Sequence, residues 1–185
     1  MSCNYHRARR RLPNKKVALA TATLLALMLS HSYAAENSGG RDEAELWDEI
    51  AYVRFQVARG HDLQGDTRKE GAFKPRGPYD PATPGDELDR AGDEKYWASE
   101  DYQTATKHWE KSAKGFRTAG ELDKARNAME NADAAWEAAK RTLREGIEIH
   151  KMAQEYYETA NNLEKKTAVL GKVARNLERL IDMKR

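Results

Sequence analysis

The chain has 185 residues, of which 39% are apolar and 34% charged, enough for one modest domain and highly charged for a globular one. Its formal net charge is +2, but six basic residues (Arg7, Arg9, Arg10, Arg11, Lys15 and Lys16) open the chain, and without them 26 Lys+Arg face 30 Asp+Glu, a formal −4. That balance excludes a nucleic-acid footprint, and the single cysteine, Cys3, excludes a disulfide framework and thiolate chemistry in the rest of the chain.

Residues 1–34 read as a signal peptide. The basic start is followed by an apolar run from Val17 to Leu29, and Ser32-Tyr33-Ala34 supplies small residues where a signal peptidase reads. The run is too short to span a bilayer comfortably. Cleavage is expected after Ala34, giving an exported protein, periplasmic in a Gram-negative source. Residues 35–60 form the expected N-terminal helix after a small, polar start from Ala35 to Arg41. Leu46, Ile50, Val53 and Val57 share one face, Trp47, Ala51, Phe55 and Ala58 lie beside it, and Gly60 is the natural stop. Residues 61–84 hold Gly65, Gly71 and Gly77 with Pro75, Pro78, Pro81 and Pro84, the composition of a linker or a strap laid over helices.

Residues 85–185 are expected to form the main helical domain. Thr83-Pro84-Gly85-Asp86 is a helix start, with threonine as N-cap, proline at the first helical position and an acid three residues after the cap. This helix is expected to run to about Ala98, loosen at Ser99–Asp101, and give way to a second helix carrying Tyr102, Ala105, Trp109, Ala113 and Phe116. Ala119-Gly120-Glu121 then turns into a long helix from Leu122 to Ala160, about 58 Å at 1.5 Å per residue. Its seam is a heptad: Leu122, Met129, Trp136 and Leu143 alternate with Ala125, Ala132 and Ala139, so alanine lets a partner helix approach closely. Asn161-Asn162 ends it. Leu163, Leu170 and Leu177 recur every seven residues on a basic final helix. Its face of Val169, Leu170, Val173, Leu177, Leu180 and Ile181 is expected to pack on the acidic segment from Asp86 to Asp101, in preference to a membrane surface.

Trp109, Ala113 and Phe116, then Gly120, then Ala125, Met129 and Ala132 resemble one tetratricopeptide (TPR) repeat, spanning about residues 106–139. In that family an aromatic and a small residue mark the first helix, glycine the turn, and small and bulky residues the second helix. Ser112 and Glu137 depart from the pattern, standing where leucine and proline are usual, and the neighbouring stretches do not repeat it. The resemblance implies a helical hairpin and a protein-binding role.

The fold class is therefore all-α: an antiparallel helical bundle, or TPR-like hairpins, with one long central helix. No catalytic residue, metal ligand or cofactor is assigned. His108 and His150 lack a glutamate three residues before them, as di-iron bundles require, and phosphate loops, nucleophile elbows and metalloprotease helices are missing. The expected function is an exported, non-catalytic interaction or scaffold protein that binds another protein through Tyr102, Trp109, Phe116 and Trp136. The alternatives are a small four-helix carrier of haem or a metal, with His108 or His150 and Met129 or Met152 as candidate ligands, and self-assembly through the heptad seam.

Overall fold

The computed structural model describes residues 40–74 and 83–183; the expected signal peptide and its cleavage point lie outside them. The described residues form four helices and no strand: α1 (Gly40–Gly71), α2 (Pro84–Thr118), α3 (Leu122–Thr159) and α4 (Leu163–Asp182). The chain is all-α, and its helices run alternately up and down. α1 lies against α2, α2 against α3, and α3 against α4.

The helix ends follow from local chemistry. Thr83 Oγ1 accepts the Asp86 amide at 3.2 Å while Asp86 Oδ2 accepts the Thr83 amide at 3.0 Å, the reciprocal capping that Thr83-Pro84-Gly85-Asp86 predicts. Between α2 and α3 only Ala119, Gly120 and Glu121 intervene, and Gly120 takes φ +80°, where a side chain would be strained. Asn161 adopts φ 53° and Asn162 Oδ1 accepts the Lys165 amide at 3.1 Å, so the paired asparagines end α3 and cap α4 in turn.

Two expected boundaries are absent. Gly60 does not stop α1, which continues to Gly71 and takes in the first part of the segment read as a linker. A glycine in a helix interior costs only about 1 kcal/mol. The extra turns of α1 are tied to α2 by His61–Glu94, Lys95–Asp62 and Arg68–Glu87 contacts. The expected loosening at Ser99–Asp101 is likewise an uninterrupted part of α2. Ser99 is fully buried in the helix seam, and Glu100 and Asp101 pair with Arg179 and Arg54, so tertiary contacts override local propensity.

The core repeats every seven residues in all three long helices. α1 buries Ala44, Ala51, Ala58 and Gly65, rather than the face centred on Leu46, Ile50, Val53 and Val57, which are only partly covered. α2 buries a large row, Leu88, Lys95, Tyr102, Trp109 and Phe116, flanked by small residues that include Gly85, Gly92, Ser99 and Ala113. α3 contributes Ala125, Ala132, Ala139, Gly146 and Ala153. Small residues on both sides bring the backbones together: a Cβ on Gly115 would lie 2.6 Å from the Ala44 Cβ, and one on Gly146 would lie 3.2 Å from the Gly92 carbonyl oxygen. Phe55 of α1 wedges between Tyr102 and Trp109, with ring centroids 5.0 and 5.5 Å away. Such pairs contribute roughly 0.5–1.5 kcal/mol beyond burial itself.

Candidate functional site

Of the four described helices, α4 is the shortest and the most strongly two-faced. Val169, Val173 and Asn176 are buried, and Lys165, Lys172 and Arg179 reach across to α2. Lys165 Nζ lies 2.5 Å from Asp86 Oδ1, Lys172 Nζ lies 2.8 Å from both Asp89 and Asp93, and Arg179 donates to the Tyr96 hydroxyl at 2.9 Å. Burial alone would raise the Asp86 pKa, but Lys165, the Thr83 cap and the Tyr157 hydroxyl hold it well below the usual carboxylate range. Burial would likewise lower that of Lys172, and Asp89 with Asp93 instead raises it. The basic side chains of α4 thus meet the acidic segment of α2 as the charge pattern predicts.

The expected apolar face of α4 divides. Leu170, Leu177 and Ile181 remain exposed, and with Leu163 they form a stripe whose members are 66% (Leu163), 41% (Leu170), 42% (Leu177) and 59% (Ile181) accessible. Beside it, a groove of about 720 Å³ runs between α3 and α4, lined by Trp136, Lys140, Arg144, Leu177, Leu180 and Ile181 among others. Trp136 is half-buried against the core there. A second cleft of about 490 Å³ lies on the opposite side of α4, between it and α2, where Trp97 is exposed beside Tyr96. Among the described residues no helix is long and apolar enough to cross a membrane.

Of the four residues expected to bind a partner, the structure leaves only Trp136 at a surface groove. Tyr102, Trp109 and Phe116 are core residues, a correction that follows from the seven-residue row of α2. Their spacing, read as one face of a short helix, is the centre of a longer one held between α1 and α3. In the heptad seam, Ala125, Ala132, Ala139 and Leu143 are buried and Met129 is half-buried, whereas Leu122 is 63% exposed because α3 begins there, beyond the reach of a partner. His108 and His150 are not brought together: His108 stacks on Trp47 of α1 with centroids 5.1 Å apart, and His150 points from α3 at Asp89 and Asp93 of α2.

Two polar clusters escape a reading of spacing alone. Lys95, 1% exposed, lies between Gly65 and Gly146, and its Nζ meets Asp62 at 2.5 Å, Asp66 at 2.6 Å and Glu145 at 2.9 Å. Burial would lower the Lys95 pKa; the three carboxylates instead raise it. The second cluster, Asp89, Asp93 and His150, brings one donor atom from each residue within 4.8 Å of the others. The signal for the first lies in Lys95 occupying the same seven-residue row as Leu88 and Tyr102. For the second, two aspartates four apart on a helix flank a glycine.

Comparison with protein-family models, with curated proteins and with solved structures finds no match to this chain.

Proposed function

We propose that this chain is an exported, non-catalytic interaction protein that receives an amphipathic helix of a partner protein in the groove between α3 and α4. The observation that carries this reading is the exposed stripe Leu163, Leu170, Leu177 and Ile181 continuing into a groove floored by Trp136. Leucines seven residues apart present a straight seam to a second helix, and tryptophan is one of the residues enriched among binding anchors. Helix-in-groove docking uses this combination of an apolar stripe and a preformed channel. Lys140 and Arg144 on one rim, with Asp133 and Glu137 beside them, would set the orientation of the guest helix. The TPR-like hairpin of α2 and α3 serves in this reading as the rigid support for the groove.

The test is site-specific photo-crosslinking in the protein's own cells, with the reactive side chain placed at Leu170 or Leu177 and, as a control, at Tyr52 on the exposed side of α1. One protein joined through positions 170 and 177, absent at 52 and lost when Trp136→Ala is added, is the expected result. Equal labelling from both faces would refute the reading. The same heptad stripe also supports a second reading, in which the guest helix is α4 of another copy. Crosslinks of the chain only to itself, with a mass by light scattering that halves in Leu170→Glu/Leu177→Glu, would select it. Mass spectrometry of the mature N-terminus tests cleavage after Ala34.

A further inference from the structure

The seam between α2 and α3 contains a histidine where its row otherwise carries apolar residues. His150 follows Leu143 and precedes Tyr157 at intervals of seven, and it is 1% exposed. Neither ring nitrogen makes a hydrogen bond. A buried polar atom left so loses its hydration without replacement, an unfavourable choice for a residue whose only task is to fill space. The ring is nonetheless closely accommodated. It lies against Gly92, where a Cβ would come within 2.4 Å of both Cδ2 and Nε2, so any other residue at 92 would displace it. Glycine in a helix interior is itself unfavourable.

The imidazole is aimed between two carboxylates. His150 Nε2 is 3.5 Å from Asp89 Oδ1 and 3.4 Å from Asp93 Oδ1, without a hydrogen bond to either. Four-coordinate zinc sites have metal–nitrogen and metal–oxygen bonds of about 2.0–2.1 Å, which puts neighbouring donor atoms about 3.3–3.4 Å apart. The two measured separations are therefore edges of a tetrahedron already at the right length. Asp89 and Asp93, four residues apart, face the same way from one helix. The adjoining cleft, on which His150, Asp93 and Lys172 all border, is a way in.

We propose that Asp89, Asp93 and His150 bind a divalent transition-metal cation of the zinc class, with Lys172 acting as the resident counter-charge that such a cation displaces. One imidazole and two carboxylates suit zinc or cobalt, whereas magnesium and calcium take all-oxygen sets. Lys172 Nζ, 2.8 Å from each aspartate, already marks the position as one that a positive charge occupies. Its side chain is partly exposed at the cleft and swings outward on its flexible stem when the metal enters. The fourth coordination position then faces the cleft and takes water.

Cobalt(II) added to the full chain tests this, read by visible absorption and by thermal unfolding. The expected result is one equivalent bound, with the intense d–d bands of a tetrahedral site and a raised unfolding temperature. Zinc should displace the cobalt and calcium should not. Lys172→Gln should tighten cobalt binding at least tenfold, and Asp93→Asn should weaken it at least tenfold while leaving the helical circular dichroism intact. His150→Ala should abolish the tetrahedral bands; if that variant does not fold, Asp93→Asn and Lys172→Gln still decide. Absence of stoichiometric binding in both the wild type and Lys172→Gln overturns the proposal. So does binding indifferent to Asp93→Asn, or calcium competing on equal terms.

Discussion

His108 gives a sharp expectation about acid stability. Its imidazole stacks on Trp47, its Nδ1 is buried without a hydrogen bond, and Lys111, Arg54 and Lys107 lie nearby. Burial first, and those three cations after it, push its pKa down to about 4. In the unfolded chain the same side chain titrates near 6.5. Between those values the unfolded state binds a proton that the folded state refuses, so stability falls as pH falls through the window. The penalty is absent above about pH 7 and complete below about pH 4. A displacement of that size corresponds to roughly 3 kcal/mol, which the ring's partial access to solvent reduces to about 2 kcal/mol. The perturbation is His108→Gln, which removes the titration and retains a polar side chain of similar length. Urea unfolding followed by tryptophan fluorescence at pH steps from 7.5 to 4.5 should show the wild type losing about 2 kcal/mol relative to the variant. Parallel pH profiles would refute the reasoning, as would an imidazole midpoint near 6.5 for His108 in a proton NMR titration of the folded protein.

His61 has the opposite sign. Its hydrogen bond to Glu94 outweighs burial and raises its pKa, so its stabilising pair is present below about pH 6.5 and is lost as pH rises through the folded value. His61→Asn should remove that gain at pH 6 and change little at pH 8.5, measured by the same urea titrations. Lys95→Met keeps the stem between Gly65 and Gly146 but deletes the ammonium; since Asp66 and Glu145 reach solvent, the loss should be about 1–3 kcal/mol rather than the 3–5 of a fully enclosed pair, as measured by chemical denaturation. Gly120→Ala forces a side chain onto a φ of +80° and should cost about 1 kcal/mol, seen as a lower unfolding temperature with an unchanged helical spectrum.

The all-helical architecture, the capped start at Thr83, the turn at Gly120 and the break at Asn161-Asn162 were legible because each rests on local chemistry: an N-cap, a positive φ, a run of one periodicity. The two misplaced boundaries had local signals too, a glycine at 60 and a serine with acids at 99–101, but there the deciding contacts come from other helices. Site residues were harder to read for a related reason. Tyr102, Trp109 and Phe116 look like an exposed anchor set until Leu88 and Lys95 are placed in the same row, which requires knowing that α2 does not break. The exposed stripe of α4 was visible as three leucines seven apart. Which part of its apolar face would be covered depends on where α3 ends relative to it, and spacing along one helix carries no such information.

Lys95 has a consequence that goes beyond its own contacts. A seam of small residues repeating every seven positions looks nearly the same after one helix slides past its neighbour by one repeat, about 10.5 Å. Ala44, Ala51 and Ala58 on α1, and Ala125, Ala132 and Ala139 on α3, present the same small volume at each rung and so by themselves accept such a shift. Lys95 does not. Its stem passes only between two glycines, and its ammonium finds three acids at one level of the bundle. A buried polar residue in an otherwise apolar seam selects one alignment at some expense in stability. In this chain it is the pin that holds the two alanine ladders against α2 in a single register.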